Sequence, residues 1–357
     1  MRVFVAGASG AVGRQLVPQL INAGHEVIGM SRSERGADGI RSAGAEAVVC
    51  DVFDRERLNR VMLESAPEVV VHQLTALPEK FVPGKIDYGP TDRLRTEGTG
   101  NLIAAAREAG AWRFIAQSIT FLLAPEGGPV LDEEARPFTD APEPFGTTVQ
   151  SAVDMERQVV QAEGIEGLVL RYGFFYGPGT YYARDGFLAG ETRRRRQPVV
   201  GNGAGVFSFC HVEDAASATV AAVESPATGV LNVCDDEPAP MKEWLPVYAA
   251  AIGAKPPRHV PRFIARLVAG DDGVGRVQDG LRRPVVLLEH HHRGIRERRL
   301  ELEDVAHVGA AEPVHRLVAV PHDADVAVLS LIHISEPTRL LSTSYAVFSL
   351  KKKTHTN

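Results

Sequence analysis

Residues 2–13 read RVFVAGASGAVG. The first five are short, apolar and rich in β-branched and aromatic side chains, the pattern of a buried strand. The residues after position 13, RQLVPQLINAG, are amphipathic and helix-like. Between strand and helix, Gly7, Gly10 and Gly13 are spaced G-x-x-G-x-x-G. Gly7 permits a tight turn, Gly10 lets backbone approach a diphosphate, and Gly13 lets helix and strand pack closely. The loop amides, with Ser9, Ala11 and Val12 between the glycines, then join the positive helix end in holding phosphates. A glycine pattern alone is weak, but its place between a strand and a helix makes it a dinucleotide site.

Beyond this loop the chain keeps alternating. HEVIGMSRS, AEAVVCD, EVVVHQL, WRFIAQS and GLVLRYG read as strands. ERLNRVMLESA, RTEGTGNLIAAAREAG and AVDMERQVVQAEG read as helices, and GAGVFSFCHVEDAASATVAAVES as a strand running into a helix. Short β runs separated by helices imply a parallel sheet covered on both faces. The expected class is α/β: a Rossmann-type doubly wound parallel sheet with a smaller C-terminal substrate-binding subdomain. Residues 1–165 form the NAD(P)-binding part, completed by strands from 166–235, and residues 166–270 the interleaved substrate-binding part.

Composition narrows the function classes. The 357 residues carry a formal charge of -6, without the basic face a nucleic-acid binder needs. No apolar run has the roughly 18 residues of a membrane span, and the first strand begins at Arg2 with no signal segment before it. Cys50, Cys210 and Cys234 are odd in number and lie in apolar runs, so they read as buried thiols of a cytoplasmic protein. Before residue 271 there are four histidines, none in ligand-like spacing, and no metal site is expected. The partner expected is a small molecule, not nucleic acid or a membrane.

The end of the second strand selects the cofactor. An acidic residue there would bind a ribose 2′-hydroxyl, but the chain has Ser31-Arg32-Ser33. A guanidinium and two hydroxyls suit a 2′-phosphate, so NADP is expected, with NAD as the alternative. Asp51, closing AVVCD, is placed to reach the adenine amino group, and Val52 and Leu74 are expected at the same site.

With GASGAVG, CDVFD, EGTGNLIAAA, LRYGFFYGPGT and FSFCHVEDAA in view, residues 1–270 resemble the extended short-chain dehydrogenase/reductase superfamily, in its NAD-dependent epimerase/dehydratase group. The resemblance implies an NAD(P)-dependent oxidoreductase, epimerase or dehydratase acting on a nucleotide sugar or another carbonyl or hydroxyl compound. It also implies homodimer pairing through helices at the sheet's flank. In such enzymes a Tyr-x-x-x-Lys pair and a Ser or Thr move the proton, the ammonium lowering the phenol's pKa.

This chain lacks the pair. Matching its start to Phe145-Gly146 puts Phe145 and Val149 at the dyad; counting back from Glu156 puts Thr148 and Ala152 there. No tyrosine lies between Tyr88 and Tyr172, and no lysine between Lys85 and Lys242. Ser118 and Thr120, ending the fifth strand, keep the hydroxyl position and could hydrogen-bond a substrate carbonyl. Tyr176, on the loop side of a sheet strand, is the candidate substitute acid. His211 with Asp214, and Arg171 or the run Arg193–Arg196 toward substrate phosphates, are weaker candidates whose ordinary roles are packing and solvation. The expectation is an enzyme with a non-standard proton donor; the alternative is a non-catalytic NADP(H)-binding redox sensor or regulator.

Past residue 271 the alternation fails. Residues 329–339, LSLIHISEPTR, resemble a translated sequencing adapter, and three lysines at 351–353 follow a chain with four before them. The expectation is a frame slip over 271–328 and an artefactual tail over 329–357.

Overall fold

In β1 (Arg2–Ala6), Val3 and Val5 face one hydrophobic cluster while Phe4 and Ala6 face another. β4 (Val69–His72) repeats the division, with Val69 and Val71 on one side and Val70 on the other. All are fully buried. A sheet covered by helices on both faces leaves no side for polar residues, which is why these strands read as unbroken apolar runs. The computed structural model describes residues 1–78, 80, 87–126 and 130–264, and the backbone of 316–322 and 326–332.

The sheet has seven parallel strands. β2 (Glu26–Ser31) and β3 (Glu46–Val49) lie on one side of β1; β4, β5 (Arg113–Ile119), β6 (Glu166–Tyr172) and a late strand, β11 (Gly229–Val233), lie on the other. The order β3-β2-β1-β4-β5-β6-β11 reverses direction between β1 and β4. A ligand crevice forms outside the carboxyl ends of strands at such a reversal.

Helix α1 (Gly13–Asn22), with Ile40 of α2 (Glu34–Ser42) and helix α8 (Val212–Glu224), covers the first face. Helices α3 (Arg55–Ser65), α5 (Thr99–Glu108) and the end of α6 (Phe145–Val160) cover the second. The helix expected from RTEGTGNLIAAAREAG starts earlier, as a short α4 (Gly89–Arg93), and passes through a π-helical turn at Leu94–Gly98 before becoming α5. That wider turn is where Arg95 enters the interior.

After β6 the chain builds a smaller lobe of two-stranded pieces. β7 (Phe174–Tyr176) pairs with β10 (Phe209–His211), β8 (Val199–Val200) with β13 (His259–Val260), and β9 (Val206–Phe207) with β12 (Ala239–Pro240). With α7 (Phe187–Arg193) and α9 (Met241–Ala251) they enclose a cluster centred on Phe207, Phe209, Trp244 and Tyr248. Its rings meet mostly edge to face, as with Phe209 and Trp244 at 5.3 Å and 80°.

Cys50 and Cys210 are buried and Cys234 is half-buried, all as free thiols. No helix among the described residues is long and apolar enough to cross a membrane. A backbone hairpin pairs β14 (Arg316–His322) with β15 (Val326–Ile332). That hairpin apart, the expected frame slip and the adapter-like tail lie outside the described residues.

Candidate active site

The glycine loop sits at the reversal between β1 and β4. Gly7 adopts φ +93°, and a Cβ there would lie 2.7 Å from the Gln73 backbone. A Cβ on Gly13 would lie 2.4 Å from the Gly7 carbonyl. Neither position has room for a side chain. Gly10 donates to the Gly7 carbonyl at 3.0 Å and accepts from Arg14 N–H at 3.0 Å, while Arg14 Nε braces the Ser9 carbonyl at 2.9 Å. Val12 offers no side-chain cap to α1, and its first turn holds no carboxylate. The positive helix end is therefore left for an outside anion, and the loop fits a dinucleotide diphosphate.

At the end of β2 the expected trio divides. Ser31 is buried with its Oγ 3.3 Å from Ser9 Oγ, and Ser33 caps α2 by accepting from Gly36 N–H at 3.2 Å. Both hydroxyls have local partners; Arg32 is exposed, as is Ser33. Asp51 is exposed and accepts from Phe53 N–H at 3.0 Å. The Val52 side chain belongs to the second hydrophobic cluster, so only its backbone is placed to meet a ligand. Leu74 is half-buried after β4; its N–H donates to His72 Nδ1 at 3.1 Å. His72 Nε2–H is thereby left to donate to Thr99 Oγ1 at 3.1 Å. Burial pushes this imidazole down to about 4, so it is neutral.

Ser118 departs from its expected role. It is fully buried and donates to Glu156 Oε1 at 2.6 Å. Glu156 in turn receives Arg171 Nε at 2.8 Å and Nη2 at 2.7 Å. With its proton committed to an ion-paired carboxylate, Ser118 has none to donate to a substrate carbonyl. Arg171 is equally committed, its third edge donating to the Glu133 carbonyl at 3.0 Å, and it cannot serve as a substrate-phosphate ligand. Thr120 is buried at the start of a 3₁₀ turn, near the Cys234 thiol.

Tyr176 is half-buried, its ring edge-on to His211 at 4.9 Å. Burial first, then the carboxylates of Asp235 and Asp214, push its phenol far above the ordinary range. It is a firmly neutral group, poorly suited to give up a proton near pH 7. His211 caps α8, accepting from Glu213 N–H at 3.3 Å. In the arginine run, Arg194 pairs with Glu191 at 3.1 Å and Arg196 with Glu191 at 3.7 Å, at an exposed helix end.

The Glu156 pair sets the register of α6. Counting back along the buried stripe from Glu156 gives Ala152 and Thr148; Ala152 packs with Phe145 and Val149 in a hydrophobic cluster with Ile119 and Leu122. Thr148 instead joins a polar cluster that the sequence reading missed. Asp92 accepts from Thr148 Oγ1 at 3.1 Å and from Ser151 Oγ at 2.8 Å, and Arg95 lies 3.6 Å from it. Tyr88, half-buried at the head of α4, shares this neighbourhood; burial, then Tyr181 and Asp92, raise its phenol. The only signal in the sequence was an arginine and an aspartate three apart within a helical run, which ordinarily marks a solvated face.

Comparison with known proteins places this geometry. The model of the NAD dependent epimerase/dehydratase family matches residues 3–234. The chain belongs to that family. A Streptomyces protein named 3-diazoavenalumate denitrifying reductase is 50% identical over 272 residues, covering 76% of this chain and 88% of that one. A Stigmatella aurantiaca quinoline-oxide ketoreductase is 28% identical over 260 residues, 71% of this chain and 74% of its own. The crystal structure of Thermus thermophilus UDP-glucose 4-epimerase with NAD is similar at a TM-score of 0.62 and 25% identity, covering 80% of this chain and 90% of that one. This family member is thus an NAD(P)-dependent enzyme of the epimerase, dehydratase or reductase type.

Proposed function

We propose that the chain is an NADPH-dependent reductase that acts on a small electron-poor acceptor, a diazo-bearing organic acid, without a phenol-borne proton. The observation that carries this is the missing tyrosine and lysine: whether the family's pair falls on Phe145 and Val149 or on Thr148 and Ala152, neither group is there. A carbonyl or hydroxyl substrate needs a proton moved on or off oxygen at the moment of hydride transfer. A threonine hydroxyl with no ammonium beside it is too weak an acid for that. A diazonium group makes no such demand: R–N₂⁺ plus hydride gives R–H plus N₂, balanced in atoms and charge. The relative at 50% identity bears a name that describes this outcome.

In this reading the Gly7–Gly13 amides hold the diphosphate, and Arg32 holds the 2′-phosphate of NADP. Bound reduced nicotinamide supplies the hydride. Asp51 and the backbone around Val52 and Leu74 flank the adenosine and nicotinamide ends. Residues 166–270 supply the substrate-binding part, and Tyr176 lines it as a neutral phenol. Glu156, Arg171 and Ser118 position α6 against β5 and β6 and handle no proton in turnover. Three free thiols suit a reducing cytoplasm.

The test is oxidation of NADPH by the purified enzyme, above the protein-free rate, with an arenediazonium carboxylate and with a panel of ketones and aldehydes. One N₂ per NADPH consumed is expected with the diazonium alone. Turnover confined to the carbonyl panel would overturn the reading in favour of a ketoreductase.

A further inference from the structure

Arg95 is the one cation of the polar cluster beside α6. The residue is nine-tenths buried, at 9% exposure. Among the described residues its five N–H groups make a single hydrogen bond, from Nη1 to the Thr148 carbonyl at 3.4 Å. Its nearest carboxylate, Asp92, stands at 3.6 Å and is already hydrogen-bonded to Thr148 and Ser151. Nε and Nη2 make no hydrogen bond among the described residues, and unlike the sealed Gln73 amide they keep some access to solvent.

The place of the guanidinium follows from α6. Thr148, Ala152 and Glu156 are spaced i, i+4, i+8 and form one stripe along the helix. Arg95 contacts the Thr148 end of the stripe and feels the charge of Glu156 at the other end. The guanidinium therefore meets α6 at the Thr148 turn of that stripe, while Ala152, one turn further on, is fully buried in a hydrophobic cluster with Ile119 and Leu122. Tyr88, interacting with Arg95 and with Tyr181, adds half-buried aromatic surface to the same neighbourhood. A desolvated guanidinium with a free edge, next to aromatic rings, matches an aryl or unsaturated carboxylate.

We propose that Arg95 anchors the carboxylate of the substrate, orienting an acidic small molecule within the active site. This rests on the reductase reading above and adds the residue that selects acids over neutral analogues. A charge-assisted pair lost in a buried site weakens binding by about ten- to hundredfold.

The experiment is calorimetry of the enzyme loaded with NADPH, titrated with 4-hydroxycinnamate and with its methyl ester. The parent is expected to prefer the acid by at least about tenfold. Arg95→Gln should bind both equally, with NADPH affinity within about twofold of the parent. Arg95→Lys, which keeps the charge and loses the fork, should show an intermediate preference and serves if the glutamine variant fails to fold. Equal binding of acid and ester by the parent, or neither binding while NADPH does, would overturn the proposal. So would an undiminished acid preference in either variant. Failure of the parent to bind NADPH would instead sink the reductase reading itself.

Discussion

Replacing Glu156 by alanine probes the pair that sets the register of α6. The substitution removes the acceptor of three short hydrogen bonds, from Ser118 at 2.6 Å and from Arg171 at 2.8 and 2.7 Å. It leaves the Arg171 guanidinium buried, with only the Glu133 carbonyl at 3.0 Å as a remaining partner. Removing one partner of a buried ion pair costs about 3–5 kcal/mol, because the other charge stays desolvated and unmatched. In an ordered body of this size, each kcal/mol lowers Tm by about 2–4 °C, so a drop on the order of 10 °C is expected. Thermal unfolding followed by circular dichroism measures it. The double variant Glu156→Met with Arg171→Met removes both charges and should recover more than half of the loss. A Glu156→Ala protein melting within about 2 °C of the parent would refute the reasoning. A double variant no better than the single would refute it too.

Other consequences follow from the same structure. Gly13→Ala sets a methyl 2.4 Å from the Gly7 carbonyl and 2.6 Å from Ala8 backbone. It should cost about 1–3 kcal/mol of stability and at least tenfold in NADPH affinity by calorimetry; parent-like affinity would remove the loop from the cofactor site. Arg32→Ser should weaken NADPH about ten- to hundredfold and leave NADH within about twofold, since only NADPH carries the 2′-phosphate; equal effects on both cofactors would show that Arg32 does not meet it. His72 is held down to about 4 in the folded chain, below its unfolded value of about 6.5. As pH falls through that window the unfolded chain takes up the proton first, so up to about 3 kcal/mol of stability is lost between pH 6.5 and 4. In denaturant titrations His72→Gln should lose less stability over this interval than the parent; identical slopes would show that His72 is not the group responsible.

The sequence carried the cofactor half of this enzyme openly. Strand, G-x-x-G-x-x-G and helix are contiguous, and the conformational demands on Gly7 and Gly13 arise from residues within a few positions or from the neighbouring strand. The two-core alternation of Val3, Phe4, Val5 and Ala6 is likewise a local pattern read over a few residues. The absence of a tyrosine–lysine dyad was equally visible, because it needed only a search between Tyr88 and Tyr172.

What occupies the emptied place was decided by folding. Ser118 and Glu156 are 38 positions apart, and Asp92 and Ser151 are 59 apart. Each side chain alone has an ordinary reading: a strand-end hydroxyl, a helix-surface carboxylate, a solvated arginine. Which hydroxyl gives its proton to which carboxylate depends on β5, β6 and α6 meeting, and on a π turn that swings Arg95 inward. Glycine loops announce themselves because backbone sterics act at short range along the chain. Buried charge pairs do not, because their partners are chosen by packing across the sheet and their strength by the water that packing removes.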